Sequence, residues 1–283
     1  MTGEWPDLEG VTAPPWTAEA VIDELVAAES EGRDILRFTL NWPDLDLEGA
    51  YRIQAAVVGR RIERGSRRIG VKLGLTSFAK QTQMGVSAPI TGVLTDDMLL
   101  FPGDPIPLDE LIHPKAEPEI VFVLGEDLAG PGVDIVSAAR AIASVHAGVE
   151  VIDSRYRAFD FRLPDVVADN ASSARFSIGD KGLDLAECDV IKESVALRID
   201  GEIVAVATGE AVLGDPLRAL AFAANELATR GDFLRAGEIV LTGGMTDAWT
   251  VPPGANVSVE FSTLGTVSLQ TPATSITTRK GAK

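Results

Sequence analysis

The segment His113-Pro114-Lys115-Ala116-Glu117-Pro118-Glu119-Ile120-Val121-Phe122-Val123-Leu124 sets two carboxylates two residues apart at the mouth of an apolar run. In a strand over Glu117 to Leu124, Glu117 and Glu119 point one way while Pro118, Ile120, Phe122 and Leu124 point the other. Two like charges held side by side need a neutralising partner unless they face open water, and a hard divalent cation with oxygen ligands suits that need. A third carboxylate, Glu150, lies in the short apolar run Gly148-Val149-Glu150-Val151-Ile152-Asp153. Alternation there puts Glu150 and Ile152 on one face and Val149, Val151 and Asp153 on the other. Three acidic side chains from two strands, completed by water and substrate oxygens, suit octahedral Mg²⁺ or Mn²⁺. Taken by its spacing alone, an E-x-E on a strand is more often a solvated face than a ligand pair.

Lys72 lies inside the apolar, glycine-flanked run Ile69-Gly70-Val71-Lys72-Leu73-Gly74-Leu75, unlike the arginines around it. Two polar clusters also stand out, Asp169-Asn170-Ala171-Ser172-Ser173 and Leu241-Thr242-Gly243-Gly244. A Thr-Gly-Gly after a strand offers close backbone approach and free N–H groups for a carboxylate, and equally reads as a plain turn. The two histidines, His113 and His146, sit in apolar contexts and read as packed side chains. No G-x-S-x-G elbow, H-E-x-x-H or Walker loop occurs, which counts against serine hydrolases, zinc proteases and nucleotide triphosphatases. Cys188, alone and in a polar segment, is a poor nucleophile candidate and fits a reducing cytoplasm.

The elements that must position these groups read as a mixed α+β fold. Strands are expected at 69–73, 118–124, 147–152, 194–199, 203–207, 238–242, 256–261 and 266–270, with Asp200-Gly201 as a hairpin turn. Thr17 caps a helix carrying Val21, Leu25 and Val26, and Tyr51, Ala55, Val58 and Ile62 mark a second that stops at Gly65. A helix is expected over 134–146, and another from Asp215 and Pro216 to Gly231. Few strand-helix-strand repeats appear, so a doubly wound parallel sheet is disfavoured. The division expected is 1–68, an irregular arm with a helical subdomain, and 69–283, a catalytic mixed-β domain whose tail after Thr271 is low in structure.

At 283 residues the chain can bury a sizeable core. Its net charge of −17 argues against sequence-independent nucleic-acid binding, and no run approaches the ~18 apolar residues of a membrane span. The acidic start, with Glu4, Asp7 and Glu9, does not resemble a secretory signal. A small anionic ligand is repelled at long range, so any anion site must be locally positive. Residues 1–50 hold 12 Asp and Glu against 2 Arg, whereas 51–80 hold 8 Lys and Arg against one Glu. Arg60, Arg61, Arg64, Arg67 and Arg68 read as a solvated face.

Val71-Lys72-Leu73-Gly74-Leu75-Thr76-Ser77, Gln83-Met84-Gly85-Val86, Ile112-His113-Pro114-Lys115, Glu117-Pro118-Glu119-Ile120, Val149 to Tyr156, Val166 to Ser173 and Leu241-Thr242-Gly243-Gly244 resemble, in order, the hydratase/decarboxylase branch of the fumarylacetoacetate hydrolase superfamily. The resemblance runs from about Tyr51 to Ser268. It implies a mixed β-roll core, Mg²⁺ or Mn²⁺ held by Glu117, Glu119 and Glu150, and a catalytic lysine at Lys72. Asn170, Ser172, Thr242 and Gly243 are the expected substrate hydrogen-bonding positions, and Arg155 either binds a carboxylate or makes a structural salt bridge.

Two meta-cleavage activities are implied: decarboxylation of the dicarboxylate 2-oxo-3-hexenedioate (4-oxalocrotonate), or hydration of 2-oxopent-4-enoate. The hydratases carry an acidic residue within a Pro-Asp-aromatic-Gly pattern, where this chain reads Pro89-Ile90-Thr91-Gly92. Isoleucine cannot move the protons that hydration needs, so decarboxylation is the first expectation, hydration the second, and a non-catalytic partner subunit the third. The resemblance also implies a cytoplasmic homo-oligomer and association with the pathway hydratase.

Overall fold

The structure, a computed structural model, describes residues 16–101 and 103–273. The opening arm and most of the C-terminal tail lie outside the described residues. Thr17 accepts a hydrogen bond from Ala20 N and so starts α1 (Ala18–Glu31), which ends where Gly32 takes a left-handed φ of 61°. Asp46 caps α2 (Leu47–Glu63) through Gly49 N. The buried stripe of α2 is Ala50, Tyr51, Ile53, Gln54 and Val58, while the expected Ala55 and Ile62 face outward. Gln54 faces inward instead, because its amide finds acceptors there in Thr91 O and Val167 O.

The strands then follow as β1 (Arg68–Gly74), β2 (Ile90–Thr95), β3 (Lys115–Leu124), β4 (Ile142–Ile152), β5 (Ser173–Ile178), β6 (Ser194–Ile199), β7 (Glu202–Thr208), β8 (Ile239–Leu241), β9 (Trp249–Thr250), β10 (Asn256–Phe261) and β11 (Gly265–Gln270). Four more α-helices interleave with them: α3 (Phe78–Met84), α4 (Ile135–Arg140), α5 (Leu163–Ala168) and α6 (Pro216–Ala228). One sheet runs β2-β1-β8-β3-β4-β5, with β9 beside the start of β3, and the other runs β11-β10-β6-β7. β1 and β8 are parallel and the other neighbours antiparallel, so the fold is the expected mixed α+β roll. The β6–β7 hairpin turns at Asp200 and Gly201, with φ of 52° and 84°.

The main core lies between the sheets and under α6. Ile120, Phe122, Val149 and Val151 meet Leu197, Val259 and Leu269, and α6 covers them with Leu220, Ala224 and Leu227. This apolar contact is the principal source of stability, at about 25 cal/mol for each Å² buried. α6 starts on Asp215, whose carboxylate accepts Leu217 N, as its sequence implies.

The helix expected over 134–146 is shorter. α4 stops at Arg140, and Ile142 to His146 belong to β4. Ala138, Ala139, Ala141 and Ala143 are good helix formers, but pairing with β3 along Ile142 to Ile152 buries Val145, Ala147, Val149 and Val151 at period two. Tertiary pairing overrides local propensity there.

Candidate metal centre and active site

The two faces of the main sheet divide the labour. Val71, Leu73, Ile120, Phe122, Val149 and Val151 point into the main core, so their neighbours Lys72, Glu117, Glu119 and Glu150 point to the opposite face. The β3–β4 register sets Glu117 directly across from Glu150, and Glu119 across from Gly148. The three carboxylates are buried, and one oxygen from each lies within 4.8 Å of the others. Like charges directly opposite on a sheet are destabilising, and burial makes the cost larger.

Lys72 joins this face because β1 pairs with β8 in the register Lys72↔Leu241, beside β3. Its ammonium is 2.7 Å from Glu150 Oε2 and donates to Ala171 O at 3.0 Å. Burial, then the Glu150 and Glu117 charges, hold the Glu119 carboxyl well above the ordinary carboxylate range, against Lys72 and the Gly243 N–H. Burial also raises Glu150, with Lys72 as the chief opposing influence.

These residues fit a hard divalent cation. With both carboxylates ionised, Glu119 Oε1 and Glu150 Oε1 are buried without a hydrogen-bond donor among the described residues. Three carboxylates and one ammonium sum to −2, the charge such an ion cancels, and an all-oxygen donor set is that of Mg²⁺ or Mn²⁺.

The loop after β8 closes on the carboxylates. Gly243 N donates to Glu119 Oε2 at 2.7 Å. Gly243 has φ 106°, and a Cβ there would stand 2.0 Å from Thr76 Oγ1; one at Gly244 would stand 2.1 Å from Glu117 Oε2. Only glycine permits this approach. Thr242 turns its hydroxyl into the sheet, donating to Ile120 O at 2.8 Å.

The far wall is a turn built without glycine. Asn170, Ala171 and Ser172 take left-handed φ values of 48°, 54° and 56° in succession, a conformation that costs about 1–2 kcal/mol per L-residue. Surrounding contacts hold it in place. The Asn170 amide accepts from Val93 N at 2.8 Å and donates to Val93 O at 2.9 Å, pairing with β2 as a strand would. Ser172 O accepts from Asp153 N at 2.9 Å.

Buried Arg155 grips both ends of this turn: its Nε bonds the Asp169 carboxylate, Nη2 donates to Asp169 O at 2.8 Å, and Nη1 to Ser173 O at 3.4 Å. Burial, only partly offset by Arg155, pushes Asp169 up to about 6. Backbone strain that surrounding structure over-determines clusters at functional sites. Here it delivers Ala171 O to Lys72 and leaves Ser172 Oγ buried with no partner in the described structure.

Of the sequence-derived positions, Glu117, Glu119, Glu150, Lys72 and the Gly243 N–H converge, and Ser172 adjoins them through Ala171. Asn170 and Thr242 are present, with their side chains spent on Val93 and Ile120. Arg155 makes the salt bridge rather than an open anion site. The sequence reading names Gly244 with Gly243 as a place of close backbone approach, and misses Thr76 as the neighbour approached and the role of Asp169. The doubled glycine was the available signal for Thr76, since a bare turn needs only one. Ile90 begins β2 opposite Gly74 and packs with Ala171 and Val167. His146 bonds Ser144 Oγ and Gly179 O and is structural.

A roll with a buried three-carboxylate centre defines a metal-dependent enzyme class, and a family model makes the class specific. The fumarylacetoacetate (FAA) hydrolase C-terminal model matches residues 64–270, and the chain belongs to that family. Within it, the chain is 43% identical over 249 residues to the 4-oxalocrotonate decarboxylase of Pseudomonas putida, covering 88% of this chain and 94% of that one. It is 39% identical over 240 residues to the 2-keto-4-pentenoate hydratase of Burkholderia vietnamiensis, covering 85% and 92%. In structure it resembles the 4-oxalocrotonate decarboxylase of P. putida G7 complexed with magnesium and adipate, with TM-score 0.87 and 41% identity over 90% of this chain and 98% of that one.

Proposed function

We propose that the chain is a carboxy-lyase that converts 2-oxo-3-hexenedioate (4-oxalocrotonate) to 2-oxopent-4-enoate with a divalent metal, in the meta-cleavage route of aromatic catabolism. The observation that carries this is the buried Glu117–Glu119–Glu150 centre with Lys72 on Glu150, in a chain 43% identical to a 4-oxalocrotonate decarboxylase.

The substrate explains why such a centre is needed. Its C6 carboxylate sits on C5, conjugated through C3=C4 to the C2 ketone. When the C5–C6 bond breaks, its electron pair forms C4=C5, C3=C4 shifts to C2=C3, and charge grows on the C2 oxygen while neutral CO₂ leaves. Protonation of the dienolate at the C2 oxygen gives the dienol, which becomes 2-oxopent-4-enoate by gaining a proton at C3 and losing the one on oxygen. A metal bound by Glu117, Glu119 and Glu150 supplies Lewis-acid stabilisation of that oxygen. The three glutamates hold the ion and move no proton. Lys72 Nζ offsets their excess charge, and its bonds to Glu150 and Ala171 O support a role as the proton donor to the dienolate. Ser172 Oγ, with no partner among the described residues, donates to the substrate, and the Asn170 amide fixes the turn that presents it. Thr242 and Gly243 hold the loop that orients Glu119. Burial of the centre excludes water, which strengthens every charge interaction within it.

Hydration of 2-oxopent-4-enoate is the second reading, supported by the 39% identity to a hydratase. The apolar surroundings of Ile90 weigh against it, because hydration needs a proton-moving group and Ile90 offers none. In the same proposal the chain is cytoplasmic and homo-oligomeric and works beside the pathway hydratase, which would consume a labile dienol. No helix among the described residues is long and apolar enough to cross a membrane. Residues 69–283 form the catalytic region, since every proposed site residue falls there, and 1–68 form the arm and helical subdomain. The reading is tested by incubating the protein with each substrate and Mg²⁺, then with chelator, and following CO₂ release and loss of the dienol.

A further inference from the structure

Lys115 opens β3, two residues before Glu117 and four before Glu119, so its side chain leaves the sheet on the carboxylate face. Its neighbour Ala116 faces the main core on the other side. The Lys115 ammonium lies over the Phe159 ring, 4.2 Å from the centroid. Ala158 and Phe159 both hold left-handed φ values, 52° and 59°, so the ring is presented by a locally strained backbone. Phe159 meets Phe161 at 6.4 Å, and Phe161 packs on the cluster containing Ile90 and Ala171. Lys115 and the left-handed turn therefore border the same side of the sheet.

The Lys115 and Glu117 positions on β3 are two residues apart, a backbone spacing comparable to the length of a molecule with two charged ends. Two residues of strand cover about 6.6 Å. The terminal carbons of an extended six-carbon diacid, five C–C bonds of ~1.5 Å apart, are separated by about 6 Å. A chain of net charge −17 repels a dianion, so a local cation is required at the end remote from the metal centre.

We propose that Lys115, held over Phe159, binds the second carboxylate of the substrate, the one released as CO₂, and is the residue by which the site selects a dicarboxylate over a monocarboxylate 2-oxo acid. The inference rests on the decarboxylase reading and deepens it. During C5–C6 cleavage the bound carboxylate becomes neutral CO₂, so its attraction to Lys115 is lost on the way to the transition state. Lys115 thus contributes to substrate binding rather than to the chemical step. The apolar face of Phe159 suits the neutral product.

The test compares wild type with Lys115→Met and Lys115→Arg, each loaded with Mg²⁺. Binding of adipate and of 2-oxopentanoate is measured by calorimetry, and KM and kcat are measured for 2-oxo-3-hexenedioate. Lys115→Met is expected to weaken adipate at least about tenfold, to leave 2-oxopentanoate within about twofold, and to raise KM at least about tenfold with kcat undiminished. Lys115→Arg is expected to recover most of the adipate affinity. Equal weakening of both acids, no change in either, or a fall in kcat at constant KM overturns the assignment. Failure of the decarboxylase reading itself is distinct: wild type would then release no CO₂, whatever the adipate result.

Discussion

Glu117 of β3 and Glu150 of β4 stand directly opposite one another in the sheet register, both buried, with Lys72 bonded to Glu150 and Glu119 one pleat further along. Such a pair is tolerable only with compensating positive charge, and Lys72 supplies one unit where the three carboxylates carry three. The missing charge is the physical reason for a metal, and it makes the metal-free protein the less stable form.

Mg²⁺ is therefore expected to raise the melting temperature. At a hundredfold excess over Kd the gain is about 2.7 kcal/mol by mass action. Glu119→Gln keeps an oxygen acceptor for Gly243 N–H but removes a carboxyl whose ionisation burial and its acidic neighbours oppose. Its metal-free form should melt higher than metal-free wild type, yet gain nothing from Mg²⁺. Thermal scans of both proteins with metal and with chelator check this.

The pH dependence of the metal-free protein has a defined sign. Glu119 and Glu150 titrate above the ordinary 4.5 when folded, so above 4.5 the folded chain binds more protons than the unfolded one. Stability from this site is full below 4.5 and falls as pH rises through the folded values. Metal binding must displace those protons, so Mg²⁺ affinity should rise with pH across the same window. Calorimetry in buffers of differing ionisation enthalpy should register proton release; binding without it would contradict the raised carboxylates.

Ser172 and Asn170 should separate function from structure. Ser172 Oγ has no partner among the described residues, so Ser172→Ala should leave the melting temperature nearly unchanged while lowering kcat/KM, roughly tenfold or more for one lost hydrogen bond to a charged substrate. Asn170→Ala removes two bonds to Val93 and should cost about 1–3 kcal/mol of stability, with activity falling as the turn relaxes. Denaturant melts and steady-state kinetics on the two variants distinguish these outcomes.

Arg155→Met should be among the more destabilising single changes. It leaves Asp169 buried and unpaired and frees both ends of the left-handed turn, at about 3–5 kcal/mol. Asp169 holds its proton up to about 6 when folded against an ordinary 3.8, so its ionisation already lowers stability as pH rises through about 6. The deficit of Arg155→Met should accordingly be smaller at about pH 5 than at about pH 8, as seen in melts at the two values.

Much of the site was legible because a strand exposes its logic at period two. Glu117 and Glu119 could be placed on one face from spacing alone, and Lys72 was marked by its apolar neighbours. That Glu150 stands opposite Glu117 depends on register, which is set by pairing partners far away in sequence. The left-handed turn was hidden for a different reason: of Asn170, Ala171 and Ser172, only asparagine is enriched in that conformation, and the arginine that holds the turn lies in another segment. β2, Ile90 to Thr95, lacks alternation, whereas β5 alternates cleanly from Ser173 to Ile178 and was passed over beside the polar cluster that precedes it. The alanine-rich stretch before His146 imitated a helix until pairing with β3 was taken into account.

Metal-dependent release of CO₂ is the most direct test. Protein stripped of metal should release none from 2-oxo-3-hexenedioate, Mg²⁺ should restore one CO₂ per substrate consumed, and Glu117→Gln should not be rescued by Mg²⁺. Turnover that survives both chelation and Glu117→Gln, or hydration of 2-oxopent-4-enoate without any CO₂ from the dicarboxylate, would contradict a metal-dependent decarboxylase.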